Sequence, residues 1–268
     1  WETDAVYRQI TKGSRTDIGT WGMQCVGMFR SFQEIEEYFE QHNLTSYMDM
    51  PKEDVRPGML IYKDVRGYDS ATGAYVEQPD GKVDGDDDQV RLSNRSNPYG
   101  VTANLNAEWK GLSLTAQISA SWGGYSFLPS MAIKPAANHE YTNMPSIWNP
   151  DNMFVYQDIA DAEGNIVVEQ NREGHYPNLA YSSVNAVTSS FWRISGTRVR
   201  LNRLTLAYSL PKKWLQPIGI SAVRVNVTGQ NICDFYNPYP DKFIDPMAGG
   251  YGSYPTLRKF TIGVNVTF

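Results

Sequence analysis

The sequence predicts an all-β chain of long, two-faced strands, and three observations carry that prediction. Several segments alternate apolar and polar residues with period two. The connections between them are alternately very short and very long. No apolar run reaches the ~18 residues that a membrane-spanning helix needs, which leaves strands as the structural units. The chain has 268 residues and a formal net charge of -5, so it offers no basic surface and predicts no nucleic-acid partner. A mean hydropathy of -0.45 fits strands with one wet face and long polar loops. The chain opens at Trp1 without an initiator Met or a signal-peptide pattern, so a fragment or processed product is expected.

Taken in order, TWGMQCVGMF (20–29) reads as a strand. SFQEIEEYFEQHN (31–43) places Phe32, Ile35, Tyr38 and Phe39 at helical spacing, with Ser31 as N-cap and Glu34 completing a capping-box pattern, so a short helix within a loop is expected. VTANLNAEW (101–109) sets Val101, Ala103, Leu105, Ala107 and Trp109 against Thr102, Asn104, Asn106 and Glu108. Lys110 and Gly111 make the turn. LSLTAQISASW (112–122) returns with Leu112, Leu114, Ala116, Ile118, Ala120 and Trp122 on one side and Ser113, Thr115, Gln117, Ser119 and Ser121 on the other, a hairpin. Its length suits a tilted strand crossing a bilayer, and Trp109 and Trp122 fall where two interfacial belts would lie.

Further on, TRVRLNRLTLAYSLP slips phase: Val199 and Leu201 share a face with Leu204, Leu206, Tyr208 and Leu210 only if one residue near Asn202 or Arg203 is extra, which predicts a bulge. PKKWLQPIGI is a compact turn. SAVRVNVTGQN (221–231) alternates Val223, Val225 and Val227 with Arg224, Asn226 and Thr228, and FTIGVNVTF ends the chain on Phe260, Ile262, Val264, Val266 and Phe268 against Thr261, Gly263, Asn265 and Thr267. In a soluble sandwich these apolar faces meet a second sheet, and in a barrel they meet lipid. The alternation of short and long connections favours the barrel.

Signals of chemistry are sparse. In PDGKVDGDDDQV (79–90), Asp80, Asp84 and Asp87 fall at intervals of four and three with Gly81 after the first, as in a calcium loop, and Asp64 is available as a further ligand. Against this, Arg66 falls at a ligand position and Gly67 to Pro79 interrupt the run, so a solvated acidic turn accounts for it equally well. His42, His139 and His175 have no metal-ligand spacing; Met247 to Gly250 is glycine-rich without a helix after it; and Cys25 and Cys233 read as two unrelated thiols. No catalytic constellation is recognisable, so an enzyme is not expected. Tyr236, Tyr239, Phe243, Tyr251 and Tyr254 in one loop, and Trp148, Phe154 and Tyr156 in another, either stack on ligand rings or pack the loops internally.

Five ordered segments make the chain recognisable. RLNRLTLAYSLPKKWLQPIGISAVRVNVTGQNICDF followed by GGYGSYPTLRKFTIGVNVTF resembles the C-terminal end of SusC/RagA-type TonB-dependent outer-membrane transporters of the Bacteroidetes. RPGMLIYKDV with DGKVDGDDDQV, NPYGVTANLNAEWKGLSLTAQISASWGG, YPNLAYSS and SSFWRISGTRVRLNRLTL resemble further segments of that family in the same order, over nearly all of 20–268. The resemblance implies about six C-terminal strands of a 22-stranded antiparallel transmembrane β-barrel, with 1–268 one part of a single barrel domain and 30–98, 123–190 and 234–257 its extracellular loops. Plug and TonB contact would lie upstream.

It further implies import of oligosaccharides or peptides across a Gram-negative outer membrane beneath a SusD-like surface lipoprotein. Expected partners are that lid, TonB, the barrel-assembly machinery, a glycan or peptide substrate and outer-membrane lipid. No cofactor is required. A candidate structural Ca²⁺ would be held by Asp64, Asp80, the Lys82 carbonyl, Asp84 and Asp87. Gly263, Val266 and Phe268 match the family's assembly signal. Alternation assigns Thr102, Asn104, Asn106, Ser113, Thr115, Gln117, Arg224, Asn226, Thr261 and Asn265 to the lumen. The alternative is a secreted β-rich glycan-binding or adhesive domain.

Overall fold

The computed structural model describes residues 19–268 except 70, 94–98, 135–144, 247–252 and 255. The chain divides into two compact units, residues 1–96 with 126–194 and residues 97–125 with 195–268.

The first unit contains β1 (Thr20–Met23), β2 (Cys25–Met28), α1 (Phe32–His42), β3 (Leu60–Tyr62) and β4 (Gln89–Ser93). TWGMQCVGMF is thus two short strands rather than one: β1 pairs antiparallel with β4, and β2 with β3. Helix α1 starts where the Ser31 hydroxyl accepts from the Glu34 amide at 3.2 Å. The Glu34 carboxylate reaches back to the Arg30 amide at 2.7 Å, one residue before the cap, so both ends of the first turn are satisfied. Asn43, in the left-handed region at φ 51°, ends the helix and donates to the carbonyls of Phe39 and Glu40. Ile35 and Phe39 turn inward, as their spacing predicts.

This helix does not lie idle in a loop. Phe29, Tyr47, Leu60, Tyr62, Val83 and Phe154 have no exposed surface, and with Ile35, Phe39 and Val184 they form one core. Segments read from sequence as loops therefore bury apolar side chains against each other. The core's tyrosines and Asn185 are paired. The Tyr47 hydroxyl donates to the Leu60 carbonyl at 2.5 Å and accepts from the Tyr62 amide at 2.8 Å. The Tyr62 hydroxyl donates to the Val184 carbonyl at 2.9 Å, and Tyr38 donates to the Tyr62 carbonyl at 2.9 Å. Asn185, only 3% exposed, accepts from the Leu60 amide at 2.8 Å and donates to the carbonyls of Gly58 and Asn178, each at 2.9 Å. One amide side chain thus ties residues more than a hundred positions apart, and its bonds to Leu60 and Gly58 are buried where water cannot replace them.

The second unit is a five-stranded antiparallel sheet of β5 (Tyr99–Trp109), β6 (Leu112–Trp122), β7 (Arg198–Ser209), β8 (Ala222–Tyr236) and β9 (Lys259–Thr267), in the order β9-β8-β7-β6-β5. Among the described residues this is one long strand fewer than the six or so expected. The β5–β6 turn places Lys110 at φ 47° and Gly111 at φ 85°, the primed-turn conformation that matches strand twist. A Cβ on Gly111 would sit 2.8 Å from the Ser209 carbonyl oxygen, so glycine is needed for room as well as for φ.

The phase slip is the expected bulge. Gln117 pairs with Arg203 and the next residue, Ile118, pairs with Leu201, leaving Asn202 unpaired between them. The same place is irregular in the β7–β8 ladder, where Leu201 opposes Cys233 and Arg203 opposes Gln230. The extra residue keeps Leu201 and Leu204 on one face despite their odd spacing.

Replacing Asn185 by Ala strands the Leu60 amide and two carbonyls in the core. We expect a loss of about 3 kcal/mol or more, read as faster hydrogen exchange of the Leu60 amide, with exchange in the five-stranded sheet unchanged.

Candidate functional site: a two-faced sheet and its anchored loop

The register sorts the sheet into rows. Asn106, Thr115, Thr205, Thr228 and Thr261 stand opposite one another across all five strands. The flanking rows on that face are Asn104, Gln117, Arg203, Gln230 and Lys259 on one side, and Glu108, Ser113, Ala207, Asn226 and Gly263 on the other. All ten residues assigned to one side by alternation share this face: Thr102 lies opposite Ser119 and Arg200, and Arg224 opposite Ser209 and Asn265. Side chains bond along it. Thr205 and Thr228 share a hydrogen bond of 2.9 Å, Gln117 donates to Asn104 at 3.1 Å, Arg224 donates to the Ser113 hydroxyl at 2.7 Å over the small Ala207, and Asn202 donates to Ser119 at 2.9 Å. Gly263 has a structural reason here, because a Cβ would meet the Asn226 amide oxygen at 2.8 Å. Val266 pairs with Val223 on the opposite face, and Phe268 follows the last paired residue.

The other face is apolar and bare. Leu114, Leu206, Val227 and Ile262 form one row and Trp109, Leu112, Tyr208, Val225 and Val264 the next. Ile262 is 75% exposed and Phe260 70%. With strands about 4.8 Å apart and ~3.4 Å per residue, the face covers roughly 650 Å², more than a soluble monomer ordinarily leaves uncovered. Trp109 lies at one end of β5, while Tyr99 and Trp122 pair at the other with ring centroids 6.3 Å apart. The strand between those ends is about 34 Å long, and at a tilt near 45° it spans ~24 Å, the height of a barrel's apolar band.

On the polar face, the loop after β8 is fastened by charge. Arg200 grips Asp234 with two parallel bonds of 2.5 and 2.8 Å and reaches Asp245 in the loop at 2.8 Å. Asp245 in turn accepts from the Thr256 amide at 2.8 Å, and Arg198 donates to the Pro246 carbonyl. These side chains are largely buried, at 9%, 20% and 15% side-chain exposure, so the forked geometry is protected from water. The sequence reading missed Arg200, Asp234 and Asp245. Its available signal was the phase slip: once Asn202 is counted as extra, Arg198 and Arg200 fall on the polar face.

The acidic segment corrects the calcium expectation. Asp64 accepts from the amides of Asp80 and Gly81 at 3.2 and 2.9 Å, Asp80 from Lys82 and Tyr68 at 2.9 and 3.1 Å, and Asp84 from Asp86 and Asp87 at 2.8 and 2.7 Å. Each of these carboxylates is spent on turn amides rather than aimed at a shared centre. Lys82 lies in a two-residue parallel pairing with Ser46–Tyr47. Among the described residues no group of three or more His, Cys, Asp or Glu is placed to hold a metal, so the set does not fit a Ca²⁺ cage.

The residue that organises the segment is Asp88, which the spacing argument passed over. It is fully buried and accepts from the amides of Val65, Arg66 and Asp84 at 2.6, 3.1 and 2.9 Å. Burial pushes its carboxyl up to about 7, against the pull of those three amides. Burial also raises Asp64.

Other candidates are accounted for by packing. His42 lies against Tyr38, and His175 stacks on Phe191. Trp148 and Phe154 are buried, and Tyr239 packs edge-on against Phe243. Tyr236 and Tyr254 are exposed. His139, Tyr251 and the Met247 to Gly250 stretch lie outside the described residues. Cys25 and Cys233 are both free thiols, and burial raises Cys25 to about 11.

Comparisons place this sheet. No protein-family model matches the sequence. The chain is 38% identical over 88 residues, 27% of its length, to "TonB-dependent receptor P3" of Formosa agariphila, and 32% identical over 143 residues, 48% of its length, to "TonB-dependent receptor P26" of the same organism. Those matches span 8% and 13% of the two receptors. Among solved structures, 93% of the chain superposes on 23% of a chain of the RagAB peptide importer in its closed-closed state, with a TM-score of 0.53 and 18% identity. The structure of the RagAB peptide transporter gives 0.52 and 16% over 22% of its chain. The fold is thus all-β, of the outer-membrane-barrel class. Within that class, the sequence is similar to stretches of TonB-dependent receptors, and the chain spans only a small part of the length of the relatives it matches.

Two outcomes test this geometry. Arg200→Gln removes the positive charge from two sequestered carboxylates and loosens the loop, at a cost of about 3 kcal/mol, visible as new protease cleavage between residues 237 and 258. For Asp88 the folded pKa lies above the unfolded value of about 3.9, so its contribution to stability is full below that value, falls as pH rises to about 7 and is level beyond. Asp88→Asn should flatten that pH dependence, measured through exchange protection of the Val65 and Arg66 amides corrected for intrinsic rate.

Proposed function

We propose that the chain forms part of the wall and loops of an outer-membrane importer, with the apolar face against lipid and the polar rows along the conduit. The bare apolar face across five strands carries this reading: its width, height and aromatic ends suit a bilayer, and among the described residues no second sheet in its unit covers it. The threonine row opposite it suits passage of hydrated solute, since it offers donors and acceptors without fixed charge, and Arg203 and Lys259 stand in the row beside it. Relatives named as TonB-dependent receptors support energised nutrient uptake without chemical change of the cargo.

The finer reading follows the family. Oligosaccharides or peptides would enter beneath a SusD-like surface lipoprotein, TonB would act through a region other than this chain, and the barrel-assembly machinery would recognise the last strand. The name RagAB peptide importer favours peptides as one cargo class.

Two measurements bear on this. Leu204→Arg, in the middle row of the apolar face, should destabilise the receptor in detergent or lipid by about 2–4 kcal/mol, while Tyr208→Arg near the strand end should cost no more than ~1 kcal/mol. A uniform cost at both positions would instead indicate a protein core. Uptake of labelled oligosaccharides and peptides should disappear both on deletion of the receptor and on collapse of the proton gradient. Uptake that survives both treatments would exclude the importer.

A further inference from the structure

The first unit holds an open pocket of about 310 Å³ whose lining residues include Phe32, Arg56, Tyr156, Gln157, Asn178 and Tyr181. That volume is at the lower end for small-ligand sites, which run from ~300 to 1,000 Å³. The pocket gathers residues from the start of α1, the turn before β3 and the segments around 156 and 181. None of them belongs to the polar sheet face.

Its aromatic wall is prearranged. Phe32 meets Tyr156 edge to face at 5.6 Å and 85°. Tyr156 is fixed by Arg172, which lies outside the pocket wall, with its guanidinium 4.6 Å from the ring centroid and its Nε donating to the Tyr156 carbonyl at 3.1 Å. Phe32 is 48% exposed although Ile35 and Phe39 of the same helix are buried, so a large ring is kept at the opening rather than in the core. Among the described residues, Arg56 is the only charged one lining the pocket. It is aimed by bonds from Nη1 to the carbonyls of Glu53 and Val55, and among the described residues no carboxylate forms an ion pair with it. The guanidinium is therefore positioned without being neutralised.

We propose that this pocket binds a pyranose ring bearing an acidic group, a carboxylate or a sulfate ester. A sugar ring has apolar C–H faces that suit the aromatic residues and a hydroxyl edge that suits Gln157 and Asn178, whereas an aromatic amino-acid side chain offers no hydroxyls to them. The planar fork of Arg56 suits the anion. The site concerns binding and stands whether or not the ligand is transported.

Isothermal titration of the intact receptor in detergent, with digalacturonate, a 4-sulfated galactose disaccharide, cellobiose and a Phe-Phe dipeptide as probes, tests it. At least one acidic disaccharide should bind about tenfold or more tightly than cellobiose, and the stronger of the two identifies the anion. Arg56→Gln should remove that preference and leave cellobiose binding unchanged. Phe32→Ala, at a half-exposed position and with an unaltered melting curve, should weaken every sugar. Equal affinity for acidic and neutral sugars, an Arg56→Gln variant with undiminished preference, a preference for the dipeptide, or no binding of any probe would overturn the proposal.

Discussion

Successive side chains of a strand point to opposite sides, so a slip of one residue exchanges the two faces of the whole strand beyond it. The five-stranded sheet depends on avoiding that slip. Its rows hold apolar against apolar and polar against polar through four strand pairings, and they do so across an irregularity in β7 that accommodates one additional residue. The threonine row, the Arg200 fork and the bare apolar face are consequences of that register. Backbone pairing between neighbouring strands satisfies the N–H and C=O groups that face each other along those four pairings.

The first unit solves a different problem. Its strands are two to five residues long and cannot be stable as sheets alone, so side chains with polar ends carry the connections. Tyr47, Tyr62 and Asn185 each bury an apolar or compact body and place a polar tip on backbone from another segment. Asp88 does the same with charge, holding three amides from two segments at once. Such groups are stabilising only while every partner is present, which gives the unit one arrangement rather than many.

The sequence made the long strands legible because period two survives over nine to eleven residues in β5, β6 and β9, and a disturbance such as that at Asn202 stands out against so regular a background. The hairpin turn was legible for the same reason, although Lys110 is an unusual residue for its left-handed position and its ammonium rests over Trp109 at 4.9 Å. The core of the first unit was not legible. Its contributors, such as Phe29, Val83, Phe154 and Val184, come from irregular segments with no shared period, and only tertiary contact shows that they meet. Acidic spacing misled because turn formation and metal binding call for the same residues: Asp80 and Asp84 recur at ligand-like intervals while serving their own backbone amides. Asp88 escaped notice because burial, which sets its chemistry, is not written in spacing.

Asn202 also bears on how this sheet can change over time. Substitutions along β7 alter one side chain and leave its neighbours where they are. Removing the unpaired residue, by contrast, would turn every position upstream of it in the strand about its axis, carrying Arg198 and Arg200 toward the apolar side and Leu201 toward the polar one. The sheet is tolerant of spelling changes and intolerant of lost letters. Variation in this strand should accordingly accumulate as replacements, with its length held constant between Gly196 and Pro211.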